Sequence, residues 1–265
     1  MYMFFSKKII YSKKLKQNYN YIKKQCGKKI CVVVKADGYG HGATNIVNIL
    51  QSYADFFAVQ NLDEALKIRK QFPTINILIL GYCFDEKLAV ENNISIMVDS
   101  LEKIKQLAKI KTNKKIKIHI KINSGMNRLG ISNIKEFKKI LKILKNNKNL
   151  YFEGVFTHFF SPKNNKIIKK QMKIFEMYLR IIPRCFSPIK HVGGSNLIFY
   201  DLPQNIDMVR VGLFVYGYGC ECVEPIMKIV SQVMRVKNIK RGAYVGYEEK
   251  YRAPKSNCTY STWVC

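Results

Sequence analysis

Residues 32–42 read VVVKADGYGHG. An apolar, β-branched run, Val32-Val33-Val34, ends in Lys35 and breaks at once into a segment with glycine at 38, 40 and 42. That is the pattern of a buried strand delivering one amine to a loop edge, so Lys35 is the candidate nucleophile. Upstream, Leu15, Tyr19 and Ile22 recur at helical spacing between lysines, predicting an amphipathic helix over 10–26 that Gly27 closes. Downstream the unit repeats. Helices are expected over 43–53, 62–71, 86–91, 101–110, 134–145 and 167–182, and strands over 55–60, 75–81, 94–99, 115–123, 154–158, 189–193 and 206–211. Alternating strands and helices imply a parallel sheet, and this many favour a closed TIM-type (β/α)8 barrel over an open doubly wound sheet. Near Ile226 the rhythm stops, and runs over 227–236 and 243–247 predict the start of an incomplete antiparallel β domain. The expected division is therefore residues 1–225 for the barrel and 226–265 for that second domain.

At 265 residues and 48% hydrophobic composition the chain can bury a full core. Its eight cysteines are scattered, without paired CxxC units, so neither a zinc site nor a disulfide framework is expected. No apolar run approaches the roughly 20 residues that span a bilayer. Met1–Phe5 followed by Lys7 and Lys8 has its charge on the wrong side for a secretory signal. These features point to a soluble cytoplasmic protein with reduced thiols. A net charge of +28 raises the possibility of nucleic-acid binding, because a basic surface attracts phosphate polyanions. The lysines are spread through nearly every predicted helix, however, and no recognised nucleic-acid signature accompanies them. No specific nucleic-acid partner is expected.

The chemistry-bearing residues fall where predicted strands end, the position of a barrel's active site. Lys35 ends the first strand, Asn123 to Arg128 follow the fifth, His158 ends the sixth, Ser195 follows the seventh, and Arg210 to Gly212 end the eighth. Singly, each has an ordinary reading: a solvated lysine, a core histidine, rim salt bridges, a helix N-cap. Together, an amine, strand-end arginines, and glycines at 193, 194 and 212 beside the Ser195 hydroxyl suit a phosphate-bearing aldehyde cofactor.

VVVKADGYGHG, KINSGMNRLG, FTHF, HVGGSN, DMVRVGLFVYG and VGYEEKYRA, in this order and spacing, resemble the motifs of bacterial alanine racemases. The resemblance implies a fold-type III enzyme dependent on pyridoxal 5′-phosphate, active as a homodimer on alanine, supplying D-alanine for cell-wall peptidoglycan. Lys35 then corresponds to the lysine that forms the internal Schiff base and acts as one catalytic base, and Tyr251 to the catalytic tyrosine of the opposite face. Tyr39, Ser195, Gly212 and Leu213 correspond to phosphate-binding positions. Arg210 matches the arginine facing the pyridine nitrogen, and His158 the histidine linking it to the second base. Arg128 corresponds to the arginine that touches the cofactor and the substrate carboxylate. Lys121 falls where some members carry a carbamylated lysine.

Departures accompany the resemblance. Gly194, Asn196 and Phe160-Ser161-Pro162 differ from the usual residues around the phosphate serine and after the histidine. Family members run longer, so the chain is expected to be a C-terminally truncated member, with the tail 256–265 read in a shifted frame. The alternative expectation is a catalytically inactive, cofactor-binding barrel or a degraded racemase gene product.

Overall fold

Strand β1 (Ser6–Ile10) leads into helix α1 (Ser12–Cys26). The computed structural model describes residues 6–160, 164–231, 233–254 and 258–263. Helix α1 buries Leu15, Tyr19 and Ile22 along one stripe, and Asn18 on that stripe donates to the carbonyls of Val215 and Glu224 at 3.2 and 2.8 Å. Gly27 follows with φ +59° and its N–H on the Lys23 carbonyl, the left-handed helix stop expected of glycine.

The chain then alternates through β2 (Lys29–Val33), a short turn α2 (Lys35–Tyr39), α3 (Ala43–Leu50), β3 (Phe56–Val59), α4 (Leu62–Gln71), β4 (Ile77–Ile79) and α5 (Glu86–Glu91). It continues through β5 (Ser95–Val98), α6 (Leu101–Ala108), β6 (Ile116–Lys121), α7 (Ile134–Asn146), β7 (Leu150–His158), α8 (Asn165–Arg180), β8 (Ile189–Gly193) and β9 (Met208–Val211). Helices α4 to α8 begin where they do because Asn61, Asp85, Ser100, Asn133 and Asn164 each accept a backbone N–H of the first turn through a side-chain oxygen. Strands β2 to β9 pair in parallel in chain order, and β9 returns to β2. The barrel is closed, and the open sheet is excluded.

Closure turns the alternate residues of each strand inward. On β6, Lys117, His119 and Lys121 share the interior face, since His119 meets Glu153 of β7 and His191 of β8, while Ile116, Ile118 and Ile120 are buried on the other face. Part of the interior is apolar, with Cys31, Val33, Phe56, Ala58, Leu78 and Met208 in one cluster.

Two compact units result: Ser12–Pro225, and a smaller one combining the segment up to Tyr11 with the chain from Ile226 onward. In the smaller unit β1 pairs antiparallel with β10 (Met227–Ser231), β11 (Val233–Ile239) with β14 (Cys258–Trp263), and β12 (Tyr244–Val245) with β13 (Tyr251–Arg252). The sequence reading gave residues 1–11 to the barrel. A barrel closed by β2 to β9 has no free edge for another strand, so β1 finds its partner elsewhere. Of the tail at 256–265, residues 258–263 form β14. Residues 256–257 and 264–265 lie outside the described residues, as do Met1–Phe5 and Ser161-Pro162. Cys220 and Cys222, expected as free thiols, are bonded to each other, while Cys26, Cys31, Cys83 and Cys185 are free. Among the described residues no helix is long and apolar enough to cross a membrane.

Candidate active site

After β2 the backbone reverses hand. Ala36, Asp37, Gly38 and Tyr39 have φ of 52°, 51°, 62° and 52°, and Gly40 follows at 81°. Left-handed geometry costs about 1–2 kcal/mol for each non-glycine residue, so this turn is held rather than preferred. Gly38 N–H donates to the Val34 carbonyl at 2.8 Å, Gly40 N–H to Ala36 at 3.0 Å and Gly42 N–H to Asp37 at 2.8 Å. The Asp37 carboxylate accepts the first N–H of α3, from Ala43, at 2.8 Å. Glu64 on α4 spans two loops, accepting the Ala36 N–H at 2.8 Å on one oxygen and the Gln60 N–H at 2.7 Å on the other.

The turn sets Lys35 into a cavity of about 480 Å³ at the C-terminal ends of the barrel strands. Of the barrel residues singled out from the sequence, Lys35, Tyr39, Lys121, Arg128, His158, Gly194, Ser195, Arg210, Gly212 and Leu213 line it, while Asn123 and Gly193 do not. Gln60 and Leu80 line it too and were not anticipated, and so do Phe156 and Phe159 of the FTHF motif, to which no role was given. Gln60 and Leu80 directly follow β3 and β4, so the strand-end rule applied to all eight strands would have found them. Tyr251 lies on β13 of the smaller unit, half-exposed.

Among the described residues, four basic side chains line the cavity, Lys35, Lys121, Arg128 and Arg210, and no carboxylate does. Burial, then the Arg128 and Arg210 charges, push the Lys121 ammonium down to about 8. Burial and the same arginines push His158 down to about 3, so its ring is neutral at pH 7. Burial lowers Arg210 to about 10, which leaves it protonated. Such a field concentrates anions.

Local packing shapes the cradle. Ser195 opens the short 3-10 helix Ser195–Phe199, and its Oγ accepts the Gly212 N–H at 3.4 Å. A Cβ on Gly212 would stand 2.8 Å from the Tyr39 hydroxyl. One on Gly193 would overlap the Arg210 guanidinium and sit 2.6 Å from His158 Nδ1, so glycine is what lets those two groups converge. Arg128 rides on a loop knotted by Asn123, whose side-chain oxygen accepts the Gly125 and Asn127 N–H groups at 3.1 and 3.0 Å.

Residues 10–219 match the family model described as alanine racemase, N-terminal domain. Alanine racemase from Lactobacillus delbrueckii subsp. bulgaricus is 34% identical over 243 residues, covering 83% of this chain and 64% of the relative. The Staphylococcus carnosus alanine racemase is 33% identical over 258 residues, covering 91% of this chain and 66% of the relative. The chain thus spans a little under two thirds of these relatives. Among solved structures, an alanine racemase from Clostridium difficile 630 superposes with a TM-score of 0.88 at 29% identity, over 98% of this chain and 73% of that one. The Bacillus anthracis alanine racemase with bound L-Ala-P gives 0.86 at 27% identity, over 98% and 72%.

Proposed function

Because the chain belongs to the alanine racemase family, we propose that it interconverts L- and D-alanine with pyridoxal 5′-phosphate, as a homodimer in the cytoplasm. The observation that carries this reading is the Lys35 amine at the end of the first barrel strand, in a cavity whose described lining adds Lys121, two arginines and hydroxyls but no carboxylate. The donor set fits the cofactor: an amine for its aldehyde, the Ser195 and Tyr39 hydroxyls with the Gly212 N–H for its phosphate, and a guanidinium for its ring nitrogen. The space that a Cβ on Gly212 would fill belongs to that cradle.

When bound, pyridoxal phosphate supplies an aldehyde for covalent attachment and a ring that withdraws electrons from the substrate α-carbon. Lys35 would hold the cofactor and carry a proton on one face of the substrate. Arg210, which only donates and stays protonated, would keep the ring nitrogen largely unprotonated and so weaken the electron sink. Arg128 would orient the substrate carboxylate by charge-assisted hydrogen bonds. His158, neutral at pH 7, adds no charge beside Arg210. Racemisation needs a second group to move a proton on the opposite face. We assign that to Tyr251, supplied by a second copy of the chain. The assignment is supported by the resemblance of VGYEEKYRA to the family motif.

Purified full-length chain incubated with pyridoxal phosphate and reduced with borohydride should carry the cofactor mass on the Lys35 peptide, and it should form D-alanine from L-alanine. Labelling at other lysines only would remove the site. Labelling at Lys35 without D-alanine would favour a cofactor-binding barrel that does not turn over.

A further inference from the structure

The barrel interior contains a polar chain that the proposed reaction does not use. Arg210 Nη1 lies 2.9 Å from His191 Nδ1, His191 Nε2 lies 2.8 Å from His119 Nδ1, and His119 Nε2 lies 3.0 Å from Glu153 Oε2. Ser95 Oγ also donates to Glu153 Oε2, and Lys117 Nζ stands 3.6 Å from its other oxygen. All four members of the chain are buried, His119 and His191 completely. We propose that Glu153 is a positioning residue for Arg210, acting from the far side of the barrel core through His191 and His119 as a hydrogen-bond chain with one permitted direction.

The direction follows from donor chemistry. A guanidinium has N–H donors and no acceptor, so His191 Nδ1 must be bare and its proton must sit on Nε2. His191 then donates to His119 Nδ1, which places the His119 proton on Nε2, where it is given to the Glu153 carboxylate. Read from the other end, an ionised carboxylate only accepts and demands the same order. Both imidazoles must be neutral for this. Burial, with the Arg210 charge, holds His191 well below its ordinary value, and burial also holds His119 low, against the pull of Glu153. Burial alone would raise the Glu153 carboxyl; the His119 and Ser95 hydrogen bonds and the Lys117 charge pull the other way and favour the ionised form.

The surrounding packing is built for the chain. Phe156 stacks on His191 with ring centroids 4.8 Å apart and lies 4.4 Å from the Arg210 guanidinium carbon. Two glycines clear its path: a Cβ on Gly154 would overlap His119, and one on Gly193 would overlap Arg210. With Nη1 bound to His191 and Nη2 donating to the Thr157 carbonyl at 2.8 Å, the guanidinium cannot turn, and one edge is left for the cavity it lines. Glu153 thereby supplies a counter-charge for Arg210 through two neutral rings, outside the reacting groups. As a statement about the reaction this rests on the function proposed above. As a statement about Arg210 it does not.

The test is ¹⁵N NMR of histidine-labelled full-length chain, with the visible absorbance of bound pyridoxal phosphate as a second readout. In the wild type, His119 and His191 should both be protonated at Nε2 only. Glu153→Gln, which removes the charge that the chain presents to Arg210 while Arg210 still fixes the order of the two rings, should shift the cofactor band and weaken cofactor binding about tenfold, the lower end of what supporting partners contribute at metal sites. An unchanged band and unchanged cofactor affinity in that variant would overturn the proposal. Should Glu153→Gln fail to fold, His119→Gln and His119→Leu decide. Gln can accept and donate in the required order and should keep the band, while Leu should lose it. Equal behaviour of the two would show that the chain only fills the core. If the wild type forms no cofactor band, the function above fails, and the imidazole assignments alone decide the chain.

Discussion

Removing the Glu64 carboxylate tests the idea that the Lys35 turn is held from outside. Ala36, Asp37 and Tyr39 are three non-glycine residues in left-handed geometry, which at about 1–2 kcal/mol each amounts to roughly 3–6 kcal/mol of backbone strain. Glu64 makes two hydrogen bonds, at 2.8 and 2.7 Å, to N–H groups on either side of the cavity rim. Bonds to a charged partner contribute about 1.5–3 kcal/mol each, so the two together are of the size of the strain. Water can replace part of this because Glu64 is half-buried. The expected cost of Glu64→Ala is therefore about 2–3 kcal/mol, one such bond's worth. Glu64→Gln should cost nearly as much, because its amide group would face a backbone N–H. Urea unfolding followed by circular dichroism gives the stability change, and borohydride trapping gives the fraction of Lys35 that holds cofactor. A loss under about 0.5 kcal/mol with full trapping in both variants would refute the reasoning, since a change that small is ordinary for a surface position.

Three other outcomes are expected. Lys121 has a folded pKa near 8, below its ordinary 10.5, so the unfolded chain binds more protons between those values and stability should rise with pH across that window. Thermal melts of Lys121→Met should lack that slope. Gly193→Ala inserts a methyl between Arg210 and His158 and should cost about 1–3 kcal/mol by overpacking, measured as a lowered melting temperature, with a shifted cofactor band. Ser195→Ala removes a hydroxyl from the phosphate cradle and should weaken pyridoxal phosphate binding roughly 10–100-fold by titration, while leaving the unfolding midpoint nearly unchanged.

Much of the barrel was legible because its signals are local. Val32 to Val34 are β-branched and apolar, Leu15, Tyr19 and Ile22 recur at helical spacing, and Gly27 ends α1. The strand-end rule then gathered Lys35, Arg128, His158, Ser195, Arg210 and Gly212 without any knowledge of contacts. What escaped was non-local. Lys117, His119 and Lys121 alternate with isoleucines as the residues of a half-solvated strand would, and only closure brings His119 against His191, 72 positions away. Ala36 and Asp37 have no intrinsic preference for left-handed backbone, and Glu64, which supports them, lies 28 residues beyond Ala36. β1 is short and half lysine-flanked, and its pairing with β10 spans nearly the whole chain.

The reversed hand after β2 limits how this segment can change. Genetically encoded side chains all share one chirality, so no side-chain replacement along Ala36–Tyr39 makes the turn self-sufficient. Glycine relieves the clash but enlarges the unfolded ensemble, a loss of about 0.4–1 kcal/mol in stability. A D-alanine at position 36, introduced by chemical ligation, would sit where its own energy map is lowest and would reduce the need for Glu64. Without it, the Ala36 and Gln60 amides, on loops after different strands, share one clamp, and they should open to hydrogen exchange as a single cooperative unit.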